Sequence, residues 1–217
     1  MRIMSAPIDP ALVTGLLLMF LPGAACAQGR LAGGPCEGCE AVFEFGDRAL
    51  GPTDTLPDFG GDGPGMLLTG TIYQMDGRTP APGVVLYVYH TDQTGVYPTR
   101  GGEEGWAGRH GYLRGWVRTD GAGRYRFYTL KPAAYPSRSN PAHVHGTILE
   151  PDGRYYWIEE WHFAGDPLLG PDQPDESSAR GSVGLVTPRD RGGLMVVERD
   201  IVLGRNVPGY GGGPDRP

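Results

Sequence analysis

Short runs of mainly apolar residues recur along the chain, and glycine or proline separates most of them. The run VVLYVYH at Val84–His90 is apolar at consecutive positions, which is typical of a central strand buried on both faces. The other runs mix apolar and polar residues, and none has the period of a long helix. They are MLLTGTIYQ, GWVRTD, GRYRFYTL, AHVHGTILE, RYYWIEEWHF and LMVVERDIVL. These patterns predict about seven short strands joined by turns.

Composition supports the same architecture. The 217 residues include 37 Gly and 21 Pro, which suits an all-β domain with many turns. We predict an all-β fold, a β-sandwich of two mainly antiparallel sheets with long loops, over residues 66–204. Residues 28–65 are predicted to form an N-terminal arm, residues 165–193 a long polar loop, and residues 205–217 a disordered tail.

The beginning of the chain has the pattern of an export signal. The apolar run at Ala11–Phe20 is too short for a membrane span, and ACA at Ala25–Ala27 offers a small-x-small cleavage site. We therefore predict a signal peptide at residues 1–27 and an exported protein, periplasmic or extracellular. Lipidation at Cys26 is the alternative, although Gly23 stands where a lipidation signal would prefer leucine.

Two cysteines remain after cleavage, Cys36 and Cys39 in the segment GGPCEGCE. One such pair cannot supply the four thiolates of a structural zinc site. In an oxidising compartment the simplest outcome is a local disulfide that pins the N-terminal arm. A thioredoxin-like redox role would need a βαβ context, and no helical pattern follows this motif.

The charge balance bears on partners. The formal net charge is −6, from 25 acidic and 19 basic residues, and no predicted element concentrates the basic ones. This argues against nucleic acids and anionic membranes as partners.

The candidate chemistry begins with His143 and His145, which are separated by one residue in AHVHGTILE. In a strand, residues i and i+2 point to the same face with their Cα atoms about 7 Å apart, so two imidazoles there could hold one metal ion. The H-x-H pattern alone fits equally well two histidines that cap the edge of a sandwich.

Two tyrosines make the metal site more specific. Tyr135 lies eight residues before His143, and Tyr97 lies in the loop that leaves the predicted central strand. Phenolate is a hard anionic oxygen donor and imidazole a borderline nitrogen donor, so the set favours a hard ion of high charge, ferric iron above all. A free tyrosine keeps its proton to about pH 10, and a ferric ion would displace that proton.

Four segments between residues 67 and 167 extend this pattern. They read LLTGTIYQMDGRTPAPGVVLYVYHTDQTGVY, VRTDGAGRYRFYTLKPAAYP, PAHVH and FAGDP. They resemble the intradiol ring-cleavage dioxygenases, non-haem ferric enzymes that include protocatechuate and catechol dioxygenases. The resemblance implies a β-sandwich, in agreement with the strand count. It also implies that Tyr97, Tyr135, His143 and His145 are the iron ligands, with Tyr135 and His145 axial and the other two equatorial.

The resemblance further implies an activity in the catabolism of aromatic compounds. A catechol-type diol would bind Fe(3+) through both oxygens, and Tyr135 would take one of its protons on leaving the metal. Reaction with O2 would cleave the ring between the two hydroxyls and give a muconate-type diacid, without an organic cofactor. The implied partners are a small aromatic diol and O2, and a homo-oligomer stays open.

The chain departs from the family pattern at two places. Members carry an arginine three residues before the first ligand histidine, where this chain has Asn140. Arg138 would share a face with Asn140 if the segment were extended, so both are candidate catalytic residues. Glu160 stands where the protocatechuate enzymes carry glutamine, and a carboxylate there would change the surroundings of the metal.

Two other functions remain compatible with the sequence. His143, His145 and Glu150 fit H-x-H-x4-E, the first half of a cupin metal motif whose second half is missing. The other alternative is a secreted β-sandwich binding module with a degenerate metal site, which Asn140 in place of arginine would favour.

The remaining histidines have structural interpretations. We expect His90 to make a structural hydrogen bond at the end of its strand. His110 is expected in a loop near the mouth of the pocket, and His162 is expected to face solvent or a neighbouring side chain rather than iron.

Overall fold

The computed structural model describes residues 29–171 and 173–211, together with Met1. Residues 2–27 of the predicted signal peptide, including Cys26, and residues 212–217 of the predicted tail lie outside the described residues. Within the described part of the chain, no helix has the length and hydropathy needed to cross a membrane.

The strands confirm the predicted all-β fold. They are β1 (Arg30–Leu31), β2 (Thr53–Thr55), β3 (Gly65–Tyr73), β4 (Val85–His90), β5 (Arg114–Arg118), β6 (Arg124–Leu130), β7 (His143–Leu149), β8 (Arg154–Phe163), β9 (Leu185–Val186), β10 (Arg189–Arg191), β11 (Leu194–Glu198) and β12 (Ile201–Val202). Two short helices accompany them, a 3-10 helix at Cys39–Phe43 and α1 at Ala107–His110.

These strands form two sheets. The first sheet has the order β1-β8-β7-β4-β5, with β9 also beside β8, and the second has the order β10-β11-β3-β6-β2, with β12 also beside β3. The long pairs β3·β6, β4·β5, β4·β7 and β7·β8 are antiparallel. Strands β1, β2, β9 and β12 pair in parallel with a longer strand, and β11 pairs in parallel with β3 but antiparallel with β10. Both sheets are therefore mixed, with antiparallel pairing along their long strands.

The main core lies between the sheets and explains why the apolar runs form strands. Burial of one large apolar side chain stabilises the fold by roughly 1.5–3 kcal/mol. The buried side chains include Leu86, Val88, Val144, Ile148, Tyr156, Ile158, Trp161 and Phe163 from the first sheet, and Met66, Leu68, Ile72, Tyr125, Phe127, Val197 and Ile201 from the second. Strand β4 lies between β5 and β7, which confirms the central strand predicted from VVLYVYH.

The N-terminal arm covers the outer face of the first sheet. Cys39, Ala41 and Val42 are buried against this face, where they meet Tyr87 and Trp116. The Trp116 indole donates a hydrogen bond to the Ala41 carbonyl oxygen at 3.1 Å. The expected disulfide joins Cys36 to Cys39 and so fixes the start of the arm.

The expectation that no helix follows the C-x-x-C motif was wrong, because the 3-10 helix begins at Cys39. That helix is short, and its buried residues belong to the apolar cluster against the sheet. The surroundings are therefore those of a structural disulfide.

The C-terminal region is more ordered than its composition suggested. The run Leu194–Leu203, predicted as one strand, forms the two strands β11 and β12. Between them the Arg199 side chain points inward and donates to the carbonyl oxygens of Glu159 and Ser182. Strands β9 and β10 lie within the segment predicted to be a loop. The predicted disorder from residue 205 was wrong as far as residue 211, since Val207 and Tyr210 are buried in the core.

Candidate metal centre

Four side chains converge at the end of the first sheet where β4 ends and β7 begins. The Tyr97 hydroxyl lies 2.6 Å from the Tyr135 hydroxyl and 2.8 Å from His145 Nε2. His143 Nε2 lies 3.2 Å from the Tyr135 hydroxyl and 3.1 Å from His145 Nε2. The structure thus brings together all four residues that the sequence proposed as ligands, and we call them the donor cluster.

Strand β7 and its neighbours orient the two imidazoles. His143 Nδ1 donates to the Pro141 carbonyl oxygen at 2.7 Å, and His145 Nδ1 donates to Glu160 Oε1 at 2.8 Å. Each ring therefore turns an Nε2 lone pair towards the other ring. Two lone pairs 3.1 Å apart repel each other unless a proton or a cation lies between them.

A β-bulge brings Glu160 to His145. Val144 pairs with Trp161 and Gly146 pairs with Ile158, so two residues of β8 oppose the single residue His145 of β7. Such bulges redirect a side chain. Burial raises the pKa of the Glu160 carboxyl, but hydrogen bonds with His145 and His162 outweigh burial and hold its pKa below its usual value. Glu160 is therefore an ionised carboxylate that orients a ring of the donor cluster.

The loop that carries Tyr97 is held by Asp92. The Asp92 carboxylate accepts hydrogen bonds from the Thr94 and Val96 backbone N–H groups at 2.7 and 3.3 Å. Gly95 has φ of 82°, and a Cβ there would collide with the Ala134 carbonyl oxygen. This close approach places the Tyr97 loop against the segment that carries Tyr135.

Tyr135 precedes a turn rather than an extended segment. The Arg138 N–H donates to the Tyr135 carbonyl oxygen at 2.8 Å, and Arg138 has φ of 54°. The condition under which Arg138 and Asn140 would share a face is therefore not met. Both side chains are exposed, and in the described part of the chain neither forms a hydrogen bond with the donor cluster.

The phenols are poor acids in this environment. Burial, together with the hydrogen bond that Tyr97 donates to Tyr135, raises the pKa of the Tyr97 phenol. Burial also raises the pKa of the Tyr135 phenol. Such phenols ionise only when a strong positive charge lies next to the oxygen, which favours a trivalent cation over a divalent one.

Sequence reasoning missed Tyr89, whose ring stacks against the ring of His145 in the donor cluster. Its ring lies between His145, at 4.5 Å, and His110, at 3.7 Å, and is nearly parallel to both. His110 is buried in α1, where its Nδ1 lies 2.8 Å from the Tyr87 hydroxyl, so the expectation of a loop residue at the pocket mouth was wrong. The β4·β7 register pairs Tyr89 with His145, and no local sequence pattern contains that register.

The other histidines behave largely as expected. His90 is buried, with Nδ1 2.7 Å from the Thr91 carbonyl oxygen and Nε2 2.7 Å from the Thr129 hydroxyl, which confirms its structural hydrogen bond. His162 faces a neighbour, since its Nε2 lies 3.4 Å from Glu160 Oε2.

A second set of potential ligands overlaps the donor cluster. His143, Glu160 and His162 offer ligand atoms that all lie within 4.8 Å of one another. His143 Nε2 can serve only one set, and Glu160 Oε1 is already bound to His145. The donor cluster places its atoms closer together and supplies four ligands, so it is the better candidate.

The cupin interpretation does not agree with the structure. Glu150 lies beyond the far end of β7 from His143, where it accepts hydrogen bonds from Tyr156 and Tyr210 at 2.9 Å each. A single ion could not contact Glu150 and the two histidines together, because the strand between them is too long.

Comparisons with known proteins agree with this fold. The sequence model of the family described as Dioxygenase matches residues 44–203. Over 99 residues the chain is 32% identical to the protocatechuate 3,4-dioxygenase beta chain of Burkholderia cepacia, covering 39% of this chain and 41% of that protein. Over 126 residues it is 32% identical to hydroxyquinol 1,2-dioxygenase of Corynebacterium glutamicum, covering 51% of this chain and 40% of that protein. The matches thus span about two fifths of each relative.

Solved structures show the same architecture. The dioxygenase domain of a dioxygenase carbohydrate-binding fusion protein from Streptomyces sp. SirexAA-E superimposes with a TM-score of 0.53 at 21% identity, covering 72% of this chain and 90% of that one. Catechol 1,2-dioxygenase from Pseudomonas arvilla C-1 gives a TM-score of 0.50 at 21% identity, covering 72% and 58%. At these identities the likeness concerns the fold. Because the family model matches most of the chain and the fold agrees, this protein belongs to the intradiol dioxygenase family.

Proposed function

We propose that this protein is a ferric-iron-dependent intradiol ring-cleavage dioxygenase that acts on a catechol-type diol. The observation that carries the proposal is the convergence of two phenol oxygens and two imidazole lone pairs within hydrogen-bonding distance of one another. The four donor atoms make four close contacts but carry only the two phenol protons, so hydrogen bonds can occupy two of these contacts, whereas a cation would bind all four atoms.

The chemistry of the donor cluster fits ferric iron. Tyr97, Tyr135, His143 and His145 would hold the ion, since two phenolates and two imidazoles suit a hard ion of high charge. When bound, the ion supplies the Lewis acidity that makes a chelated diol reactive towards O2. Pro141 and Glu160 keep both imidazoles in the tautomer that such an ion requires.

Tyr135 is the residue best placed to move a proton. The histidines are fixed on β7 and Tyr97 is held by the Asp92 loop, whereas Tyr135 adjoins the exposed turn at residues 136–140. We assign to the Tyr135 oxygen the acceptance of a proton from the incoming diol. A role for Arg138 or Asn140 in binding the diol stays a prediction, since it requires this turn to close over the donor cluster.

The visible absorption spectrum of the iron-loaded protein tests the proposal. Phenolate bound to ferric iron gives a charge-transfer band, which we expect to shift when catechol is added under nitrogen. Admission of air should then consume one equivalent of O2 and give a muconate-type product. The double variant Tyr97→Phe/Tyr135→Phe should lose the band. A wild-type protein that binds iron without the band would assign the metal to His143, Glu160 and His162 instead.

A metal-binding module without catalysis is the second candidate function. It is favoured by the exposed positions of Arg138 and Asn140, which leave the donor cluster without a basic partner for the substrate. In that case the iron-loaded protein would show the band, and no diol would be turned over.

Export is part of the same proposal. The Cys36–Cys39 disulfide supports an oxidising compartment, where such bonds persist. Mass spectrometry of the protein secreted by its host should find Gln28 at the N-terminus. A diacylglyceryl group on Cys26 would establish the lipidated alternative.

A further inference from the structure

A cavity of about 460 Å³ lies directly beside the donor cluster. Two of its lining residues, His145 and Glu160, are a member of that cluster and the carboxylate that orients it. The volume lies in the range of small-molecule sites. Of the four donors, only His145 is among the described residues that line the cavity. If the proposed function holds, this cavity is the space on the His145 side of the metal, into which a ring substituent of a bound diol would extend.

The walls of the cavity suit an aromatic ring and are firmly held. Trp157 and Tyr89 line it from the first sheet, and Cys36 and Gly38 line it from the N-terminal arm. The disulfide fixes the arm side of the wall, and Tyr89 is fixed between the rings of His110 and His145. The cavity is therefore largely formed before any ligand enters.

The charged side chains that line the cavity are acidic. Glu37, Glu159 and Glu160 line the cavity, and no lysine or arginine is among the described residues that do. The nearby Arg109 is paired with Glu37 at 2.5 Å. Arg180 is stacked on the Trp157 ring and donates to the Gly33 carbonyl oxygen at 2.8 Å. A substrate carboxylate in this cavity would meet three carboxylates, and no lysine or arginine lines the described part of the wall.

We propose that this cavity receives the ring substituent of the diol, and that its carboxylates select neutral or cationic catechols against catechols that carry a carboxylate. This inference rests on the proposed dioxygenase function. Like charges brought together in a partly desolvated site repel each other, and the penalty falls on the carboxylate-bearing substrate alone. Glu37 is the residue of choice for a test, because its removal also frees the Arg109 guanidinium beside the cavity.

The test compares two diols of nearly equal shape, 3,4-dihydroxybenzamide and 3,4-dihydroxybenzoate. Dissociation constants are measured under nitrogen from the visible band of the iron-loaded protein, and turnover is followed separately by O2 uptake. The wild type should bind the amide on the order of tenfold more tightly than the carboxylate. Glu37→Gln should shrink this preference by about twofold, because both members of the Arg109–Glu37 pair are largely exposed and solvent screens their charges. Glu37→Gln/Arg109→Gln should restore most of the preference.

The matched control is Glu198→Gln, which makes the same change in net charge on the exposed side of β11 in the second sheet and should leave the preference unchanged. The inference is overturned if the wild type binds the two diols equally well, or if Glu37→Gln leaves the preference unchanged. In either case, turnover of one of the diols would still support the dioxygenase function. A band that neither diol shifts, with no O2 uptake, overturns both.

Discussion

The two ends of strand β7 each carry a polar cluster that contains two tyrosines. The clusters differ in whether there are enough protons for the hydrogen bonds between their polar atoms. At the C-terminal end, Tyr156 and Tyr210 donate to separate oxygens of the buried Glu150, and Tyr156 accepts a bond from the Gly204 N–H at 3.1 Å. Every donor there has an acceptor. At the N-terminal end, two phenol protons serve four close contacts, so two of the contacts have no proton between their atoms.

This difference separates a structural cluster from a proposed ligand site. Buried polar groups stabilise a fold when each donor meets an acceptor. A cluster in which lone pairs converge without enough protons is stabilised by a cation instead. Both ends of β7 carry two tyrosine hydroxyls, so the matching of protons, rather than the presence of tyrosines, is the basis on which we propose the metal site. The following substitutions test this assignment.

The largest effect is expected on substitution of a donor. His143→Ala removes one ligand and should lower iron affinity by more than about a hundredfold, beyond the effect known for residues that only orient ligands. Ring cleavage should disappear with the iron. Isothermal titration with iron and the visible band measure the loss. The thermal unfolding of the metal-free protein should change little, and severe destabilisation would indicate that the donor cluster is structural.

The opposite result is expected at the other end of β7. Glu150→Ala leaves the Tyr156 and Tyr210 hydroxyls without their acceptor, which should lower the free energy of unfolding by about 3 kcal/mol. Iron affinity should stay within about twofold of the wild type, since the ligands are far along the strand. Denaturant unfolding of the metal-free protein measures the change, with the exposed Glu198→Ala as the control. Loss of iron binding in a folded Glu150→Ala protein would revive the cupin-like interpretation.

A smaller effect is expected at Glu160, which touches the donor cluster only through His145. Glu160→Gln keeps the shape of the side chain but removes the charge that makes His145 a better ligand. Iron affinity should fall about 10- to 100-fold, and the charge-transfer band should shift. Glu159→Gln changes the adjacent residue and should leave the band in place. Equal bands in wild type and Glu160→Gln would show that the carboxylate does not act on the metal.

The parts of the fold that the sequence predicted correctly have local signals. The long strands alternate or are continuously apolar, and His143 and His145 share a face through strand geometry alone. The missed strands β1, β2, β9 and β10 have only two or three residues each, too few for a period. They exist because a neighbouring strand offers unpaired backbone groups.

The missed features of the site depend on register. The bulge that turns Glu160 towards His145 appears only once β7 and β8 are paired, and the stack of Tyr89 between two histidines requires β4, β7 and α1 together. The buried position of Tyr210 depends on Glu150, which lies 60 residues earlier in the chain. Neither composition nor local pattern contains these long-range contacts.

The smallest predicted effect tests how the Tyr97 loop reaches the donor cluster. Gly95 has positive φ and abuts the Ala134 carbonyl oxygen, so Gly95→Ala must both strain the backbone and push the Tyr97 loop away from Tyr135. We expect a loss of about 2 kcal/mol in unfolding free energy, and a several-fold fall in iron affinity. Denaturant unfolding and titration with iron measure the two losses.

Gly101→Ala is the matched control for this last substitution. Gly101 also has positive φ, at 86°, but a Cβ there would meet no atom within 4 Å. It should therefore show only the backbone cost of about 1 kcal/mol and normal iron affinity. If Gly95→Ala behaves like Gly101→Ala in both measurements, the close approach to Ala134 does not position Tyr97. If only Gly95→Ala weakens iron binding, a backbone contact outside the donor cluster sets its geometry.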